Sequence, residues 1–233
     1  MPRLLPNFNN EDEYDKSQRL EQTYSAAIEE IGRRHHLPAN AQLRKYAGGY
    51  MVVFAYGKDF AVKLYPPFVP HHFKNEVAFY RYLQGKLQLQ TPAVVAVGLL
   101  DGWDYLVMEQ LRDPLLDEAW PRLMADERHT LLCELGEFTA ELHALNAEPL
   151  LHTCPNWGAF VRQQAKNAVA QQLEVGTTSY WTEQVDAYLK KWLPRLSDDF
   201  KPALLHTELS GSCLTAACSA SRMHWLYLSP ARK

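Results

Sequence analysis

Two groups of residues in this chain have the types and spacing to do chemistry. One lies in ALLHTELSGSCLTA (203–216), where an apolar approach delivers His206, Thr207 and Glu208 to a turn-prone stretch ending at Cys213. A histidine and a carboxylate two residues apart on a loop can take up and hold protons; the same pattern also serves as a plain crossover. The other is Lys63 in FAVKLY, flanked by Val62 and Leu64, with Glu76 in the helical segment that follows. Strand alternation puts Lys63 on one face, and an inward-facing ammonium needs a counter-charge, for which Glu76 is the natural candidate. The lysine also reads as one that points to solvent from an exposed sheet face. Gly48-Gly49, just before a strand, can leave backbone N–H groups open to an anion, a signal many hairpins share.

The elements that must position these residues follow from periodicity. Residues 11–36 read as a helix with Leu20, Tyr24, Ala27, Ile28 and Ile31 on one face, ended by Leu37-Pro38. Its charged side is either solvated, or the helix caps the strand-rich segment. MVVFAY and FAVKLY flank Gly57-Lys58-Asp59 and predict a hairpin; PAVVAVGLL and WDYLVMEQL flank Asp101-Gly102 and predict another. Between them, Pro66, Pro67 and Pro70 form a stiff link, and Lys74 to Leu87 has helical spacing. Helices are expected over Glu127 to Leu145, about 156–173 and 179–193. The organisation is α+β in two lobes: a helical extension (1–40), a strand-rich lobe (41–111) and a helical lobe (112–233).

Composition narrows the function. A formal net charge of −3 and scattered basic residues argue against a nucleic-acid partner. The longest apolar run, Pro92 to Leu100, is too short to cross a bilayer, and the polar, acidic N-terminus does not resemble a signal peptide. Four cysteines without a C-x-x-C pair read as free thiols, and a cytoplasmic location is expected. His206, Cys213, Cys218 and His224 are zinc-ligand types at irregular spacing, and no zinc site is expected. His35-His36 and His71-His72 read as solvated, and Phe79, Tyr80 and Tyr82 as core.

A strand lysine paired with a helix glutamate holds nucleotide phosphates in kinases. Gly48-Gly49, Lys63, Glu76, YLVMEQL ending at Glu109-Gln110-Leu111, ERHTLLCELGEFTAELHAL and HTELSGSC occur in that order over about 40–231. In order and spacing the chain resembles the aminoglycoside phosphotransferase family, within the choline-kinase and protein-kinase-like superfamily. The resemblance implies a two-lobed kinase-like fold that uses ATP and Mg²⁺ to phosphorylate a small hydroxylated substrate. Lys63 would contact the α- and β-phosphates and Glu76 would orient it, with Gly48 and Gly49 in the loop above. Glu109 and Leu111 would offer backbone groups to adenine. Glu208 would accept the substrate hydroxyl's proton, His206 would brace the loop, and Cys213 would stand at a Mg²⁺ position.

The sequence departs from the family's pattern at three places. Glu208 stands where the family has Asp, Cys213 where it has Asn, and Tyr227 where a second metal-binding Asp is expected ahead of Pro230-Ala231. The chain also stops at Lys233, where the family continues into helices that build the acceptor pocket. A truncated helical lobe would expose apolar surface, with Trp181, Tyr188, Trp192 and Trp225 as candidates, and lead to self-association, marginal stability or both. Two functions follow as expectations: a small-molecule kinase, or a catalytically inactive kinase fold that binds a nucleotide or a partner.

Overall fold

A computed structural model describes residues 3–8, 11–17, 22–46, 50–89, 91–111, 116–153, 156–195, 203–205, 214–216 and 223–225. These residues fall into two compact units, one comprising 1–145 with 204–233 and the other 146–203.

The first unit is built on a five-stranded antiparallel sheet in the order β1 (Leu43–Lys45), β2 (Val52–Tyr56), β3 (Phe60–Tyr65), β5 (Trp103–Glu109), β4 (Val94–Leu100). The two predicted hairpins are β2–β3 and β4–β5. The second closes on Asp101 and Gly102, both at positive φ (51° and 85°). That is the backbone of a type I′ turn, which favours Asp-Gly and matches the strands' twist. Every residue of β2 is buried, as is every residue of β3 except the partly exposed Phe60. A sheet covered on both faces suits strands buried on both sides.

Each face has its own core. On one, Val52, Phe54, Tyr56, Val62, Leu64, Tyr105 and Val107 pack against Tyr24, Ala27, Ile28 and Ile31 of α2 (Gln22–Arg34). The N-terminal residues complete this core: Leu5 and Tyr14 are fully buried, and Trp103 donates its indole N–H to the Pro6 carbonyl at 2.9 Å. The Asp101 carboxylate accepts the Leu4 and Leu5 N–H groups and is held below the usual carboxylate range by those bonds. The predicted helix over 11–36 is two helices, α1 (Glu11–Ser17) and α2, and they cap the sheet. Leu37-Pro38 does end α2. The Leu37 N–H returns to the Gly32 carbonyl and the His36 N–H to Arg33, a Schellman closure with His36 at φ 53°.

On the other face, Ala61, Tyr65, Leu106 and Met108 pack against Val77 and Tyr80 of α3 (Pro70–Leu83). This helix starts earlier than the expected Lys74, because proline is tolerated in the first turn, where its missing N–H has no intrahelical partner. Past the sheet come the short α4 (Leu116–Ala119) and the long α5 (Ala125–Ala144). The Glu141 carboxylate of α5 accepts the Gln88 N–H at 3.0 Å. A two-stranded ladder, β6 (Leu214–Ala216) with β7 (Met223–Trp225), completes the described part of the unit.

The second unit is a pair of packed helices, α6 (Trp157–Glu174) and α7 (Ser179–Trp192). Asn156 caps α6 by accepting the Ala159 N–H at 2.9 Å, and Gly176, at φ 85°, closes its end. As expected, Trp181, Tyr188 and Trp192 are exposed, at 61, 64 and 43%; Trp225 is described only by its backbone.

Gly32 allows α2 to approach the sheet. A methyl group added there would coincide with the Tyr56 phenol, which is itself buried. Gly136, on the exposed face of α5, has nothing within 4 Å of the same added atom. The same substitution should therefore have opposite signs at the two sites. Gly136→Ala should stabilise by up to about 1 kcal/mol through helix propensity. Gly32→Ala should destabilise by about 1–3 kcal/mol through overpacking, despite the same gain in propensity. Paired urea titrations check this, and equal shifts at the two positions would refute the tight approach of α2.

Candidate functional site

Lys63 alternates with Ala61 and Tyr65 along β3, so it faces α3 rather than solvent. Its Nζ lies 2.7 Å from both carboxylate oxygens of Glu76. The two side chains are 1% and 4% exposed. Both were expected to pair across this gap, and they do. The strand is fixed in register on both sides, with Val53 of β2 and Leu106 of β5 opposite Lys63. Glu76 sits among Val77, Tyr80 and Leu83 on the buried side of α3. Burial makes each charge dependent on the other, because an ion taken out of water without a partner loses several kcal/mol of solvation.

The sequence treated His72 as solvated, but the structure half-buries it one helical turn before Glu76. Its ring lies 6.0 Å from the Tyr50 ring. Burial, and then the Lys63 ammonium, lower its pKa below the usual histidine value. Because α3 was expected to begin at Lys74, His72 was left outside the helix; a start at Pro70 brings it into line with Glu76.

The other end of the same sheet face is more open. A cavity of about 370 Å³ is lined by Gln42, Arg44, Ala55, Gly57, Lys58 and Gln110. Arg44 lies opposite Ala55 in the β1–β2 register, and Ala55 opposite Ala61, so small side chains leave the space above β2 and β3 empty. The Arg44 guanidinium stacks on the Tyr46 ring at 4.8 Å. Burial pushes the Tyr46 phenol up, against the opposing pull of that guanidinium. The Gln110 side chain bonds the Tyr46 phenol, while its Oε1 is buried and has no hydrogen-bond partner among the described residues. A buried acceptor in that state calls for a donor. From Lys63 to the end of β3 at Phe60 is three residues, roughly 10 Å of strand.

Glu109, expected with Leu111 to offer backbone groups to adenine, is the last residue of β5, and Leu111 lies two residues beyond it. The Glu109 N–H donates to the Ala93 carbonyl at 3.0 Å and the Gln110 N–H to Asp59 at 2.8 Å. These bonds tie the end of β5 to its neighbours on both sides. Gly48, Gly49, His206, Glu208, Cys213 and Tyr227 lie outside the described residues. The sequence marked Lys58 only as a hairpin-tip residue and Gln110 only as part of the segment after the last strand; their convergence with Arg44 had no signal, since only the strand register brings 42–44, 55–58 and 110 together. The arrangement offers a paired ammonium at one end of a sheet face and a polar, cationic recess at the other. Such a face can hold an extended ligand that carries anionic groups.

No curated protein matches the chain. Among solved structures, the GDP and kanamycin complex of APH(2")-IIia is 14% identical, with a TM-score of 0.69, covering 86% of this chain and 71% of that one. The ADP-bound aminoglycoside phosphotransferase APH(2'')-Ib is 19% identical, with a TM-score of 0.63 and coverage of 86% and 69%. The macrolide 2'-phosphotransferase MphH from Brachybacterium faecium, as apoenzyme, is 19% identical, with a TM-score of 0.54 and coverage of 85% and 70%. At these identities the likeness is one of fold, and the fold is α+β and kinase-like. The family model of the phosphotransferase enzyme family (APH) matches residues 42–211, which run from β1 through Lys63, Glu76 and the end of β5. The chain belongs to the phosphotransferase enzyme family.

Proposed function

We propose that the protein transfers the γ-phosphoryl group of ATP to a hydroxyl of a small molecule of the aminoglycoside kind. The observation that carries this reading is the buried Lys63–Glu76 pair, set on a sheet face that opens into a polar cavity. The nucleotides and the kanamycin in the solved neighbours support the two substrate classes. In this reading Lys63 holds the α- and β-phosphates and Glu76 orients its ammonium. Gly48 and Gly49 cover the phosphates, while Glu109 and Leu111 receive the base beside Gln110. Glu208 takes the acceptor hydroxyl's proton as the hydroxyl oxygen attacks the γ-phosphorus, the bond from that phosphorus to the β–γ bridging oxygen breaks and ADP leaves, while His206 braces the loop.

The donor set at the family's metal positions fits Mg²⁺ poorly. Mg²⁺ is a hard cation that prefers carboxylate, carbonyl and water oxygens. Cys213 offers a soft sulfur and Tyr227 a phenol that is neutral at pH 7. We assign no step to a metal here. The same residue types, with the longer arm of Glu208, favour a second reading in which nucleotide is bound and not turned over. Self-association through the exposed Trp181, Tyr188 and Trp192 is a further proposal, and sedimentation velocity should show a concentration-dependent species larger than a monomer.

Lys63→Met should cost about 3–5 kcal/mol, because it strands the Glu76 carboxylate in the core. The double variant Lys63→Met/Glu76→Leu should regain most of that stability, while calorimetric ATP binding stays lost. Wild-type ATP affinity in the double variant would make the pair purely structural and sink the reading.

Mg²⁺ dependence separates the two readings. ATP titration with and without Mg²⁺ should show weak binding that the metal barely strengthens. Cys213→Asn/Tyr227→Asp should raise Mg²⁺-dependent affinity more than it raises turnover. An ATP-consumption assay over aminoglycosides and amino alcohols supplies the second arm. Robust Mg²⁺-dependent turnover by the unaltered chain overturns the binding-only reading; bound ATP that is never consumed overturns the transferase.

A further inference from the structure

We propose that Tyr14, in the N-terminal helix α1, is a positioning residue for the nucleotide site. The inference rests on the phosphotransferase reading above and adds a residue from outside the matched region, which begins at residue 42. Tyr14 has no exposed surface. Its hydroxyl donates to the Tyr50 carbonyl at 2.7 Å. Its ring meets the Tyr50 ring edge-on at 5.8 Å and the Phe68 ring at 5.6 Å.

These two partners lead into the two halves of the ion pair. Tyr50 follows the Gly48-Gly49 pair by one residue and enters β2, the strand whose Val53 faces Lys63. It packs against both cores of the sheet, and its ring lies 6.0 Å from His72 in the first turn of α3. Phe68 belongs to the short link between β3 and α3, so its position governs where the helix carrying Glu76 begins. One buried phenol thus bears on the entry to the strand beside Lys63 and on the start of the glutamate's helix. A phenylalanine could fill the same space; the hydroxyl adds the hydrogen bond that holds the Tyr50 carbonyl, and with it the peptide that leads into β2.

Tyr14→Phe removes the hydrogen bond to the Tyr50 carbonyl and keeps the ring. Tyr24→Phe is the matched control, because the Tyr24 hydroxyl pairs with Ser17 Oγ at 2.8 Å in the same core, away from Tyr50. Both should lower the melting temperature by similar amounts. Only Tyr14→Phe should weaken ATP binding, by about three- to ten-fold in calorimetry, and raise the KM for ATP while the acceptor KM stays put. Hydrogen exchange at Met51 and Val52 should quicken in Tyr14→Phe and not in Tyr24→Phe. Phe68→Leu keeps the hydroxyl bond, alters a partly exposed ring, and should weaken ATP about two-fold. It provides the test if Tyr14→Phe fails to fold, and unchanged ATP affinity in it would then refute the role. Wild-type ATP affinity in Tyr14→Phe, or an equal loss in Tyr24→Phe, would refute it directly. Absence of ATP binding by the unaltered chain is a different result: it removes the phosphotransferase reading and this inference with it.

Discussion

The Lys63 ammonium and the Glu76 carboxylate meet at 2.7 Å where almost no water reaches either. Each is tolerable in that setting only because the other is present, and two apolar side chains would join strand to helix at least as well. The pair is therefore a poor way to gain stability and a demanding way to hold two charges still. The surrounding lobe meets that demand. β3 is paired along its length on both sides, so the lysine backbone has little room to shift. The proline-stiffened link and the apolar contacts of Val77, Tyr80 and Leu83 fix α3 against the sheet.

The two sheet faces divide the work. The face under α2 is sealed with tyrosine, tryptophan and aliphatic side chains, and its polar atoms are spent on internal bonds such as Trp103 to Pro6. The face under α3 carries the ion pair, His72, the small alanines and the cationic recess around Gln110. A rigid, dry side supports a side able to accommodate a charged guest. Pre-organisation of this kind lowers the entropy that a ligand must give up to be held.

Much of this could be read before any coordinates. Lys63 interrupts an apolar strand, and Glu76 falls on the buried stripe of the next helix, so the pair was visible as a charge problem with one local solution. The hairpins announced themselves through Gly57-Lys58-Asp59 and Asp101-Gly102. Tyr14 was not visible, because α1 carries Glu11, Glu13 and Asp15 around it and looks like a solvated helix. Its burial comes from the nearby Phe8 and from Tyr50, Phe68 and Trp103, which are distant in sequence and converge only in three dimensions. The convergence of Arg44, Lys58 and Gln110 was hidden for the same reason, since strand register brought them together. The start of α3 was misplaced because prolines usually argue against helix, although at a first turn they cost nothing. The loop at 206–213 rests on sequence alone.

The docking of the N-terminus at Asp101 also sets a timetable for synthesis. Leu4 and Leu5 find their hydrogen-bond acceptor 97 and 96 residues downstream, and the Pro6 carbonyl waits for an indole equally far away. At ribosomal speeds of roughly 5–20 residues per second, that partner emerges on the order of 5–20 s after the residues that need it. Early in that interval, before β2 and β3 are made, Leu5, Tyr14 and the apolar stripe of α2 have no strand to cover, and Trp103 completes their core last. The aromatic cluster of Tyr14, Tyr24 and Trp103 can therefore close only once the start of β5 has been made.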